Sequence, residues 1–141
     1  MIARFDGFSS CDHALASSNN YLYCIRNTAT GPTLLALSLT AQLLIWAQPL
    51  ATLPGSSKLN AIQFTVIVDN NGTVIYSQSN GLVDNIVGVD AATGSTLWIF
   101  NGGGSGVRMA ATSNGEIIAL VYTSGSSDIY YIGNGQEACP T

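Results

Sequence analysis

Charged residues are scarce in this chain. Only 9% of its 141 residues are Asp, Glu, Lys or Arg, whereas about 25% is usual for a globular domain. Four Lys and Arg against eight Asp and Glu leave a net charge of −4 and no basic face that could neutralise phosphates. We therefore expect neither a nucleic-acid partner nor binding to an anionic membrane surface. Disorder is also excluded, because 47% of the residues are apolar and can drive collapse.

Residues that bind metals are equally few. The sequence holds three cysteines and one histidine, and no two cysteines have the C-x-x-C spacing of a zinc site. Acidic residues are spread over the chain rather than grouped. We therefore predict no metal site and no metal cofactor.

A strand–turn–strand pattern occurs twice in the sequence. Residues 88–98 predict one strand, a turn at Thr93 and Gly94, and a second strand ending at Trp98. Residues 36–46 have the same layout and end at Trp46, about 50 residues earlier. A period of this length with several short strands per unit is typical of a β-propeller blade. We therefore predict an all-β chain built of propeller blades.

One long uncharged segment requires a test for a membrane span. Residues 27–57 contain no charged side chain, and residues 33–53 have the hydropathy of a weak spanning helix. Polar residues and Pro49 interrupt this run, and it aligns with the second strand–turn–strand copy. We therefore predict strands here and no membrane span.

The strand and turn pattern predicts a single domain, residues 1–141, with about three blades. Each blade is a four-stranded antiparallel meander, with boundaries near residues 11–50, 61–102 and 106–135. The last blade lacks a fourth strand in this prediction, because residues 136–141 are polar and include Pro140. The N-terminal residues 2–7 resemble residues 98–102, so they are expected to complete it, in the same or another copy.

Three blades are too few to close a ring, since natural propellers use about four to eight. The predicted partner is therefore a second copy of the chain, in a homo-oligomer or a filament, or the remaining blades of a larger propeller. A ring-like fold also brings the chain ends together. We accordingly predict a disulfide between Cys11 and Cys139, with buried free thiols as the alternative.

The repeated segment resembles a motif of the quinoprotein-type propeller family, Ala-x-Asp-x-x-Thr-Gly-x-x-x-Trp. Residues 88–98 match this motif except that glycine replaces its first alanine. Residues 36–46 keep only the alanine and the tryptophan at the two ends of the motif. The positions concerned are Ala36, Trp46, Gly88, Asp90, Thr93, Gly94 and Trp98. The resemblance implies that the tryptophan docks between adjacent blades with the turn packed beneath it, which is a structural role.

The same family includes dehydrogenases that use pyrroloquinoline quinone with calcium, a catalytic Asp and often adjacent cysteines. This sequence does not supply that set, so we predict a non-catalytic structural or binding module without a cofactor. A fragment of a quinone-dependent oxidoreductase is one alternative. A carbohydrate-binding module is another, because exposed tyrosines can stack on sugars.

Several residues carry weaker site hypotheses. Cys11 and His13 could share a strand face, but no orienting third group is evident, so we expect no catalysis there. Asp84 and Asp90 could be calcium ligands, although the turn accounts for Asp90. Asn71 begins an N-glycosylation triplet, which favours a secreted, extracellular glycoprotein.

Overall fold

The structure is a computed structural model that describes residues 11–52, 63–69, 72–80, 83–102, 106–112, 116–123, 125–133 and 137–140. Within these ranges the chain forms twelve β-strands and no helix. The strands are β1 His13–Ser18, β2 Tyr21–Thr28, β3 Gly31–Ser38, β4 Leu43–Pro49, β5 Gln63–Val68, β6 Thr73–Ser79, β7 Asp84–Asp90, β8 Thr96–Gly102, β9 Gly106–Ala111, β10 Ile117–Thr123, β11 Ser126–Gly133 and β12 Glu137–Pro140. The prediction of an all-β chain is confirmed.

The strands form three antiparallel sheets of four strands each. The first sheet contains β1 to β4, the middle sheet β5 to β8 and the third sheet β9 to β12. In every sheet each strand pairs with its neighbours in sequence, as expected for a meander. Residues 33–38 lie in β3 and residues 43–49 form β4, with a turn between them. No described segment forms a helix with the length and hydropathy to span a membrane.

The middle sheet lies between the other two. One of its faces packs on the first sheet through residues such as Val74, Tyr76 and Val87. Its opposite face packs on the third sheet through Ile75 and Ile86. Every residue of β6 is consequently buried. The opening strands β1, β5 and β9 contact one another in series, which brings the three sheets together along their first strands.

The β7–β8 turn is built by Asp90. Its Oδ1 accepts hydrogen bonds from the backbone N–H groups of Ala92, at 2.8 Å, and Thr93, at 3.0 Å. Gly94 then adopts a φ of 79°, in the left-handed region that favours glycine. This is the turn-capping role that the sequence predicts for Asp90.

The corresponding β3–β4 turn has the same form with different residues. Ser38 Oγ accepts a hydrogen bond of 3.1 Å from the backbone N–H of Ala41. Gln42 takes a φ of 53° where the other turn has glycine. Asn20 supports this turn from the side, because its Oδ1 accepts a 2.9 Å hydrogen bond from the Thr40 N–H. The turn geometry is thus retained although the Thr-Gly pair is absent.

The prediction that residues 136–141 form no strand is wrong. Glu137–Pro140 forms β12 and pairs with β11 at the outer edge of the third sheet. An edge strand tolerates proline, because one row of its backbone groups has no ladder partner. β12 therefore occupies the position that was assigned to residues 2–7, which lie outside the described residues.

The predicted disulfide between Cys11 and Cys139 is also wrong. Cys11 is bonded to Cys24, with the two Cα atoms 5.7 Å apart. Cys11 lies just before β1, and β1 pairs with β2, so the antiparallel ladder brings these cysteines together. Cys139 lies in β12 of the third sheet, where its backbone pairs with Tyr131.

Candidate functional site

The first seam is the interface between the first and middle sheets, and Trp46 lies at its outer part. The indole Nε1 donates a 2.9 Å hydrogen bond to the backbone oxygen of Ala91, in the β7–β8 turn. Gly94 of the same turn lies directly against the ring, since a Cβ built there would be 2.7 Å from Trp46 Cε3. Tyr23 contacts the ring at a centroid distance of 6.1 Å. Trp46 therefore joins two sheets.

Further hydrogen bonds cross the first seam where the chain leaves β4. The backbone N–H of Ala51 donates to the Tyr76 hydroxyl at 2.8 Å, and Gln78 Nε2 donates to the Ala51 oxygen. Leu50 is buried beside them in the same core. Burial raises the pKa of Tyr76 to about 12, so the phenol stays protonated at neutral pH.

The second seam is the interface between the middle and third sheets, and Trp98 lies beside it. Trp98 pairs across the ladder with Gly88 just before a register shift, and Trp46 pairs with Ala36 in the same way. A Cβ at Gly88 would overlap the Trp98 indole, which explains glycine at this position. Unlike Trp46, Trp98 has a buried Nε1 for which the described residues provide no hydrogen-bond acceptor. The tryptophans share a register position but not a hydrogen-bonding environment.

Within the described ranges, the residues of the weaker site hypotheses are not brought together into one site. Asp84 and Asp90 are the two ends of β7, roughly 20 Å apart along the strand, so they cannot share an ion. Cys11 forms a disulfide bond with Cys24. The neighbouring Asp12 accepts a 2.8 Å hydrogen bond at Oδ2 from the Asn27 N–H. The described residues hold no group of three His, Cys, Asp or Glu that could bind a metal ion. Asn71 lies outside the described residues.

A cleft of about 570 Å³ opens at the turn end of the first seam. Its walls include Tyr21, Tyr23 and Ile45 from the first sheet, and Asp69 and Asp90 from the middle sheet. The β-hairpin turns of both sheets end here, which places polar and apolar side chains next to each other. Burial, and to a smaller extent the neighbouring Tyr21, raises the pKa of Tyr23. Sequence reasoning placed the tyrosines on strands but did not find this cleft.

The outer face of the third sheet is an apolar surface. It faces away from the middle sheet because the alternate residues of β10 are buried against that sheet. Ile118 is 40% exposed and Ile129 is 51% exposed. The larger apolar side chains of this face are Ile118, Leu120, Tyr122, Ile129 and Tyr131, and the ladder places the exposed Arg108 of β9 on the same face opposite Leu120. The unbroken apolar run of residues 117–122 was the sequence signal for it, since such runs are typical of strands covered on both faces.

No known protein-family profile matches this chain, and no curated protein has significant similarity to it. The resemblance to the quinoprotein-type propellers therefore rests on the motif residues alone and stays a prediction.

Proposed function

We propose that this chain is a non-catalytic, secreted structural module of propeller-type blades, and that it associates with further copies of itself. The three sheets correspond to the blades in this proposal. The association uses the outer face of the third sheet. The observation that carries the proposal is that this face is largely apolar and exposed, whereas the central strands of the middle sheet are covered on both sides.

The order of the sheets supports a second copy as the occupant of the outer face. The first sheet presents one face to the middle sheet, and the middle sheet presents its corresponding face, with Ile75 and Ile86, to the third sheet. The outer face of the third sheet is the next in this series of sheet surfaces, which otherwise each pack on the following sheet. Since each surface of the series receives another sheet of this chain, a sheet from a second copy is the matching partner. This continuity with the existing seams favours self-association over an unrelated partner.

The covalent structure is compatible with export. Disulfides persist in oxidising compartments and are rare where glutathione and thioredoxin keep thiols reduced. The Cys11–Cys24 bond therefore supports the secreted, extracellular location. A glycan at Asn71 is part of the same proposal and rests on the sequence triplet alone.

Light scattering coupled to size-exclusion chromatography tests the proposal. A single copy has a mass of 14.7 kDa, so we expect a species of at least twice that mass that dissociates on dilution. A folded chain that remains monodisperse at the mass of one copy, at concentrations of about 100 μM, would contradict self-association. That concentration is far above the dissociation constants of about 1 μM or less that are typical of specific interfaces.

The alternative of a quinone-dependent oxidoreductase fragment has its own test. The described part of the chain offers no set of carboxylates that could hold calcium beside a quinone. We expect no change in the absorption spectrum of pyrroloquinoline quinone when the protein is added with calcium. A saturable spectral shift would favour the enzyme alternative instead.

A further inference from the structure

We propose that the cleft at the turn end of the first seam binds a neutral saccharide. The proposal assigns a ligand site to a surface that the structural role does not use. It depends on the cleft and not on the outer face of the third sheet, so the two proposals can fail separately.

The aromatic wall of the cleft is suited to one sugar ring. Tyr21 is 42% exposed, so its ring is accessible from the cleft. Tyr23 is almost fully buried and packs on Trp46, so its ring offers little accessible surface to a ligand. A single accessible aromatic ring beside the apolar Ile45 is a stacking platform for the apolar face of a sugar. It is not a cage of several rings around a cation.

The polar wall is suited to hydroxyl groups. Asp90 uses Oδ1 for both turn hydrogen bonds, which leaves Oδ2 as an acceptor on the cleft. Asn19, at the opposite turn, offers an exposed amide with both donor and acceptor atoms. Carboxylate and amide groups next to an aromatic platform form hydrogen bonds with sugar hydroxyls and fix the orientation of the ring.

The charge of the cleft excludes acidic sugars. Asp69 and Asp90 both line it, and none of its described lining residues is Lys, Arg or His. A sialylated or sulfated glycan would bring a further negative charge next to two carboxylates without a compensating cation. A neutral hexose or N-acetylhexosamine unit fits this environment and the volume of about 570 Å³.

A glycan array carrying neutral, sialylated and sulfated glycans, followed by titration of the bound glycan, tests the proposal. We expect signal from neutral glycans and at least a tenfold loss of affinity in the Tyr21→Ala variant. The matched control is Leu97→Ala, which removes an exposed side chain of the middle sheet that lines neither the cleft nor the outer face, and it should leave the affinity unchanged.

Three outcomes would overturn the proposal. They are no binding to any glycan on the array, binding confined to acidic glycans, or equal binding by the Tyr21→Ala variant and the original chain. Choline at millimolar concentration is the competing probe, and displacement of the glycan by choline in low salt would assign the cleft to an organic cation instead. A chain that binds neutral glycans but remains a single copy would support this site and contradict the self-association.

Discussion

Gly94 is required for two separate reasons at the residue scale. Its φ of 79° lies in the left-handed region, where a side chain costs free energy. Its Cα also lies against the Trp46 indole and the Gln48 side chain, so there is no room for a Cβ. The first copy of the motif has Gln42 in the same backbone conformation. The packing of the first sheet against this turn therefore restricts the position to glycine more strongly than the backbone conformation of the turn does.

The variant Gly94→Ala should separate these two causes. We expect a loss of about 3 kcal/mol in the free energy of unfolding, from backbone strain plus the clash with Trp46. Gly125→Ala is the control, because Gly125 has a φ of 88° and open space around it. Its loss should be about 1 kcal/mol, measured by urea denaturation. Equal losses in the two variants would show that the indole does not rest on Gly94.

The raised pKa of Tyr76 predicts that the folded chain loses stability at alkaline pH. Its pKa of about 12 in the folded chain exceeds the ordinary value of 10.0, because burial disfavours the charged phenolate. The stabilising contribution is complete below pH 10 and is lost as the pH rises towards 12. The loss should reach about 2 kcal/mol near pH 12. Chemical denaturation at a series of pH values should show a smaller decline in Tyr76→Phe than in the original chain, where the part that remains includes Tyr23, whose pKa is also raised by burial. An equal decline in both would contradict this origin.

The two motif tryptophans differ at the scale of the element. Each pairs with a small residue, Ala36 or Gly88, immediately before a register shift. The β7–β8 turn offers Trp46 a carbonyl oxygen, whereas the buried N–H of Trp98 has no acceptor among the residues that the structure describes. The first seam is therefore held by a hydrogen bond that the second seam lacks at this position.

This difference gives a paired prediction. Trp46→Phe should reduce the free energy of unfolding by about 1 kcal/mol more than Trp98→Phe does, because only the first change removes a hydrogen bond. The Phe ring keeps most of the apolar contact in both variants, so each is the control for the other. Thermal or urea denaturation provides the comparison. A larger loss for Trp98→Phe would contradict the assigned roles.

The Cys11–Cys24 disulfide joins the start of β1 to β2 and closes a loop with a sequence separation of 13. Replacing both cysteines by alanine should cost about 3 kcal/mol, because the unfolded chain loses the constraint of that loop. Cys139→Ala leaves the Cys11–Cys24 bond intact and is the control, for which we expect a smaller change in the midpoint of unfolding. Peptide mapping by mass spectrometry is the direct check, and a Cys11–Cys139 peptide would contradict the pairing.

At the scale of the whole molecule, the middle sheet is the only one of the three whose two faces are shown to pack on other sheets of the described chain. Its central strands have apolar residues on both faces, and those of the third sheet have the same character. The third sheet nevertheless exposes one apolar face. The proposed association with a second copy would bury that face and lower its free energy in water.

Self-association should depend on Ile118. We expect Ile118→Lys to weaken association by at least tenfold, because it places a charge in the middle of the outer face. Ile99→Lys is the matched control, since Ile99 is 49% exposed but belongs to the middle sheet. Analytical ultracentrifugation over a range of concentrations measures both, with circular dichroism to confirm that each variant folds. Equal weakening by the two substitutions would argue against the outer face as the interface.

The sequence alone predicted the elements that depend on local physics. Strands follow from the alternation and β-branched content of the runs, and the turns from Asp90, Gly94 and their counterparts, because these preferences act over a few residues. The motif also indicated that Trp46 and Trp98 hold corresponding positions. The location of the cleft and the pairing of Cys11 were not predictable, since each depends on which strands become neighbours.

What the sequence determined by itself is therefore the all-β class, the order of strands and turns and the low charge of the surface. Only the tertiary structure decided that β12 completes the third sheet, that Cys11 bonds Cys24, and that Trp46 finds an acceptor in the neighbouring sheet. The physical reason is the distance along the chain over which each interaction acts. Hairpin and turn preferences are encoded locally, whereas edge occupancy, disulfide partners and hydrogen bonds between sheets depend on how the sheets pack together.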